Sequence, residues 1–249
     1  MNKLLTAILS LIFIINASAQ QSPFTDSKYF EMRVYTAHEG KMPDLIKRFE
    51  NHTTKLFERA GMENVGYFLP VDKSDNKLTY ILGYPNENAR ERMWQSFLND
   101  PEWKKVYEDS RKNGPLVKSI EETYMVLAPG LNDLPKPSAS GIFQLRTYHC
   151  FDGKIENIQA RFRDHTRALF EKQGLKNYPY FLTVEKDGSQ SKLVYLLGHE
   201  NQSEFEEAFQ RFANDPEWIQ VRDASEESGK IVERVDAKFF TALPFSKMK

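Results

Sequence analysis

The chain contains itself twice. Phe30-Glu-Met-Arg-Val-Tyr35 and Phe143-Gln-Leu-Arg-Thr-Tyr148 open two segments that run in step at an offset of 113 residues, through Gly40/Gly153, Arg48/Arg161, His52/His165 and Gly61/Gly174. From Phe30 to Val71, 18 of 42 pairs are identical; the offset then becomes 115, and Lys77 to Val106 matches Lys192 to Val221 at 15 of 30 positions. A period this long exceeds any solenoid repeat, so each copy is large enough to be a domain. The stretch Pro129 to Gly141, rich in proline, glycine and serine, reads as a connector. These signals predict a first module over 28–129, a linker over 130–141 and a second module over 142–244.

Each copy carries the same periodicities. Tyr29 to Thr36 alternates, with Phe30, Met32 and Val34 on one face and Glu31, Arg33 and Tyr35 on the other, which predicts a strand. Met42, Leu45, Ile46, Phe49, Thr53, Leu56, Phe57 and Ala60 recur at helical spacing up to Gly61, a natural left-handed stop. Strands are expected at Val65 to Val71, Leu78 to Tyr84 and Val117 to Leu127. A second helical region around Trp94 restarts at Asn99-Asp-Pro-Glu-Trp103, where Asp100 caps and Pro101 fits the first turn. The order β-α-β-β-α-β is the ferredoxin-like plan, an α+β arrangement. Helices cover one face of such a sheet, yet the strands are apolar on both. Two modules in one chain therefore predict an intrachain pseudo-dimeric α/β barrel in which each sheet covers the other.

The first 19 residues stand apart. Lys3, an apolar run from Leu4 to Ile15 and the small residues Ala17-Ser18-Ala19 form the pattern of a secretory signal, too short for a comfortable membrane span. The expectation is export, to the periplasm or beyond, of a mature chain without a membrane span. The 34 Lys and Arg balance 35 Asp and Glu, so no global field recruits nucleic acid. Cys150 is the sole cysteine, which excludes an intrachain disulfide and a thiolate cluster. The shared histidines have no His or Cys at ligand spacing, so no metal site is expected. Glycine-rich phosphate loops, nucleophile elbows and HExxH motifs are also missing from the sequence.

Candidate site residues come from polar groups kept in both copies. His52-Thr53 and His165-Thr166 fall beside the helical apolar stripe, the threonines near its middle and the histidines at its edge. The histidines read either as part-buried, hydrogen-bonded residues or as pocket ligands or acid/base groups. Arg33 and Tyr35, with Arg146 and Tyr148, project from the strand face opposite Phe30 and Phe143. They could bind a carboxylate or oxygenated aromatic ligand, or equally hold Glu31, as a buried or interface ion pair that fixes how the two modules meet. Trp103 and Trp218 read as packing anchors.

The Glu31-Met-Arg-Val-Tyr-Thr36 start, Gly40-Lys41, His52, Gly61 and Asn99-Asp-Pro-Glu-Trp103, all recurring in order in the second copy, resemble a NIPSNAP domain over nearly the whole mature chain. The resemblance implies a dimeric α/β-barrel fold, in a superfamily that also holds haem-degrading and cofactor-free monooxygenases. Animal relatives are linked with mitochondria and vesicle traffic, a setting from which the signal sequence departs. Fold does not carry function here. Three functions stay open: a binder of a small, largely apolar or aromatic molecule between sheet and helices, a monooxygenase-like enzyme using His52 or His165 as acid/base or haem ligand, and an interaction module with a filled cavity. The cofactor and the catalytic residues are unknown from sequence, and a homo-oligomer stays open beside intrachain pairing.

Overall fold

The computed structural model describes residues 25–133 and 135–249; the expected signal segment lies outside them. In the first copy, β1 (Tyr29–Ala37) leads to α1 (Met42–Arg48), a π-helical turn (Phe49–Thr53) and α2 (Thr54–Arg59). Then come β2 (Glu63–Pro70), β3 (Lys77–Tyr84), α3 (Glu87–Asn99), α4 (Pro101–Asp109) and β4 (Val117–Leu127). The second copy repeats this as β5 (Ile142–Cys150), α5 (Ile155–Arg161), a π-helical turn (Phe162–Thr166), α6 (Arg167–Lys172), β6 (Lys176–Thr183), β7 (Leu193–His199), α7 (Gln202–Ala213), α8 (Pro216–Ser225) and β8 (Val232–Ala242). Helix boundaries follow local chemistry. Gly61 and Gly174 end the first helical segments at φ of +94° and +87°, a region closed to most side chains. Asp100 accepts the amides of Glu102 at 2.8 Å and Trp103 at 3.3 Å, and Pro101 takes the first helical position, where no N–H is needed.

The eight strands close in the order β1-β3-β2-β8-β5-β7-β6-β4, antiparallel throughout. The expected pairing of two stacked sheets is thereby refined: the sheets also join edge to edge. Phe68, Leu69 and Pro70 face Ala242, Thr241 and Phe240 at one seam, and Met125, Val126 and Leu127 face Thr183, Leu182 and Phe181 at the other. Closure removes the two strand edges that each half would otherwise leave unpaired. The last residues extend the first seam, since the amides of Leu243 and Met248 bond the carbonyls of Tyr67 at 2.9 Å and Val65 at 3.1 Å.

One side-chain cluster fills the barrel: Phe30, Phe68, Phe143, Phe181, Ile81 and Leu196 are among its buried members. Two further cores lie outside it, each between one half of the sheet and its helices. The connector is pinned rather than loose. The Asn132 side chain donates to the carbonyls of Ala128 and Tyr180 and accepts the Tyr180 amide, all within 3.0 Å. Among the described residues, no helix is long and apolar enough to cross a membrane.

Candidate functional site

Alternation along β1 decides which residues meet the helices. Phe30 and Met32 enter the barrel, while Glu31, Arg33 and Tyr35 point outward beneath α1 to α4. Over this face lies a cavity of about 910 Å³. Its walls are aromatic, from Tyr35, Phe49, Phe57, Trp94, Phe97, Trp103 and Tyr107, with Arg33, Arg48 and Arg90 set among them. Leu98, Tyr107 and Ile120 stand at the lining with 53%, 39% and 45% of their surface exposed, beside the exposed Lys104 and Lys118, so the opening mixes apolar and cationic side chains.

The floor is a polar network centred on Glu31, which is fully buried. Its carboxylate accepts from Arg33, from Arg90 at 2.7 and 2.9 Å, from the Trp94 indole at 2.9 Å and from the Tyr84 hydroxyl at 3.0 Å. Burial opposes its ionisation, but the Arg90 hydrogen bonds and the Arg33 charge prevail and hold the carboxyl below its usual value. Arg33 also pairs with Glu122 at 2.7 Å and stacks over Trp94 at 4.5 Å. The pair Arg33–Glu31 thus exists, but inside one module and on the helix side, not between modules.

The π-helical turn places the opposite wall. Widening the helix to i→i+5 bonding lets the Thr53 hydroxyl donate to the Arg48 carbonyl at 3.2 Å, and Thr166 repeats this on Arg161 at 3.0 Å. Arg48, Phe49 and Thr53 line the cavity, whereas His52 is exposed and lies off it. Regular helical spacing put His52 and His165 at the edge of the buried stripe; the wider turn leaves both in solvent. His165 borders a separate, shallower groove of about 630 Å³ beside α5 and α8, away from Arg146, Tyr148 and Thr166.

The second copy is chemically different at the matching place. Gln144 stands for Glu31, Phe205 for Arg90 and Phe209 for Trp94. Arg146 donates to Gln144 at 2.6 Å and stacks over Phe209 at 4.5 Å, while Phe205 packs on Phe239 at 5.1 Å. Of the expected site residues, the structure therefore brings together Arg33, Tyr35 and Thr53 and leaves the two histidines outside. Glu31 as a hub, Arg48, Arg90 and Trp94 were missed as site residues. For Glu31, Arg90 and Trp94 the signal lies in positions where the two copies differ; Arg48 is shared with Arg161, and only the exchange of Glu226 for Arg111 sets it apart.

Solved structures with this fold cover most of the chain. A candidate monooxygenase from Lactobacillus acidophilus NCFM superposes with a TM-score of 0.57 over 87% of this chain and 94% of its own, at 9% identity. A candidate monooxygenase from Fusobacterium nucleatum gives 0.54 over 87% and 93%, also at 9% identity. A NIPSNAP domain protein from Burkholderia xenovorans is 19% identical over 41% of this chain and 95% of its own, with a TM-score of 0.36. At 9% identity the likeness to the two candidate monooxygenases shows the fold alone. Curated proteins gave no match. The NIPSNAP family profile matches residues 30–130 and again 143–247, most of the chain and both copies, and the protein therefore belongs to the NIPSNAP family as a tandem of two such domains.

Proposed function

We propose that the protein holds a small, largely apolar molecule between the sheet and the helices of its first module. The cavity of about 910 Å³ walled by seven aromatic side chains carries this reading. It is of the size and lining that small-molecule sites have, with a few fixed polar groups to orient an occupant. Purification of the full chain without denaturant, followed by extraction and mass spectrometry, tests it. One compound near a single equivalent is expected, and it should be lost from Ser119→Trp, which places a large ring at the lining. A chain that yields no compound, or the same compound from both proteins, refutes the reading.

A monooxygenase-like activity is the second reading, favoured by the shared barrel fold of two candidate monooxygenases. Dioxygen uptake dependent on the extracted compound would establish it. Haem with an imidazole ligand fits poorly, because among the described residues no histidine lines the cavity. We further propose that modules 28–129 and 142–244 each follow the ferredoxin-like plan, and that the protein is exported after cleavage behind Ala19. N-terminal sequencing should find Gln20 first; a cytoplasmic chain retaining Met1 refutes export.

A further inference from the structure

The two copies serve as controls for each other at one buried arginine. Arg48 and Arg161 occupy matching positions, are 6% and 5% exposed, and stack over Trp103 and Trp218 at the same 5.3 Å. Each donates to a matching serine at 3.2 Å, Ser110 or Ser225. They differ in their counter-charge. Arg161 pairs with Glu226 at 3.0 Å, whereas the residue matching Glu226 is Arg111. Among the described residues no carboxylate pairs with Arg48; the Nε of Arg48 and that of Arg161 both have no partner, so the counter-charge alone separates the two.

A buried cation without an anion is costly, because a hydroxyl and two ring faces replace the lost water only in part. Burial accordingly pulls the Arg48 guanidinium below its ordinary basicity. The remaining lining adds to the imbalance. Lys104 and Lys118 line the cavity where the second copy has Ile219 and Glu233. Glu122, the one acid in the lining among the described residues, is engaged by Arg33, and Glu31 is enclosed by Arg33 and Arg90. Uncompensated positive charge is thus concentrated at Arg48, beside the faces of Trp103 and Tyr107.

Resting on the proposed cavity, we infer that its occupant is an amphipathic organic anion: a single carboxylate or equivalent charge neutralises Arg48, and an apolar body lies against the aromatic wall. A guanidinium fork beside flat rings suits a planar carboxylate attached to a hydrocarbon. The missing glutamate of the first module is then supplied by the ligand, and Arg111, standing where the second copy has Glu226, adds positive charge beside Arg48 instead of a counter-ion.

Isothermal titration of the full chain with 2-naphthoate and with its neutral counterpart 2-naphthamide tests this. Expected is binding of both, with the carboxylate preferred by about tenfold or more, a gap of roughly 1.4 kcal/mol that narrows at high salt. Arg111→Glu rebuilds the pair found in the second module and changes an exposed residue outside the lining. It should cut 2-naphthoate affinity about tenfold, leave 2-naphthamide within about twofold, and raise the melting temperature of the ligand-free chain. Lys118→Glu should act in the same direction on binding. Equal affinity for the two probes, or equal loss of both in Arg111→Glu, overturns the anion inference while the apolar cavity stands. Binding of neither probe overturns the cavity and the anion together.

Discussion

Replacing Glu31 by glutamine, the residue its counterpart Gln144 already is, probes the centre of the first module. The carboxylate is fully buried and accepts from two arginines, an indole and a phenol. Removing one partner of a buried ion pair typically costs about 3–5 kcal/mol, since the charge left behind is uncompensated. Glutamine keeps one acceptor, and Glu122 still holds Arg33 at 2.7 Å, so a loss near the lower limit, about 3 kcal/mol, is expected. Arg90→Phe alone should also destabilise, because Glu31 loses two hydrogen bonds. The double variant reproduces the Gln144/Phe205 pair of the second module, with the new phenylalanine facing Tyr124 as Phe205 faces Phe239. Its loss should be smaller than the sum of the single losses by about 1–2 kcal/mol, the size of coupling seen between contacting residues. Urea denaturation of all four proteins, with matching slopes, measures this. Strict additivity, or an unchanged midpoint for Glu31→Gln, would refute the claim that Glu31 holds the two arginines.

The same carboxylate predicts a pH dependence. Its folded value lies below the usual 4.5, so the unfolded chain binds the extra proton first; the contribution is complete above pH 4.5, fades as pH falls through the lower folded value, and should be missing from the acid limb of Glu31→Gln. Thr53→Val removes the hydroxyl that bonds the Arg48 carbonyl and should cost about 1 kcal/mol in thermal or urea unfolding; no change would mean the π-helical turn holds without it. His52→Phe should shift stability by no more than about 0.5 kcal/mol and leave cavity binding intact, since His52 is exposed and off the lining; loss of probe binding in titration would restore it to the site. A fragment of residues 28–129 should dimerise or aggregate in light scattering, because both seams and the barrel interior lose their partners; a monomer as stable as the full chain would refute the closed-barrel argument.

Much of the architecture is present in the sequence by itself. Alternation in Phe30 to Tyr35 assigns barrel and helix faces, Gly61 and Gly174 mark the helix ends, and Asp100-Pro101 and Asp215-Pro216 start the last helices; each is a local preference that neighbouring residues suffice to set. Duplication adds the inference that one half covers the other. Three things were decided only by tertiary structure. The seams need strands far apart in sequence to pair, as Leu69 does with Thr241 and Val126 with Leu182, and no local pattern specifies which edges meet. The π-helical turn displaces His52 from the face that regular 3.6-residue spacing assigns it, and hydroxyl-to-carbonyl bonds five residues apart leave no periodic trace. The charge balance around Arg48 depends on residues from helix, loop and strand converging in space, so the exchange of Glu226 for Arg111 looks like an ordinary surface change until the fold brings each beside its buried arginine's place. Covalent neighbours fix the elements; which charges lose their water together is fixed only when those elements pack.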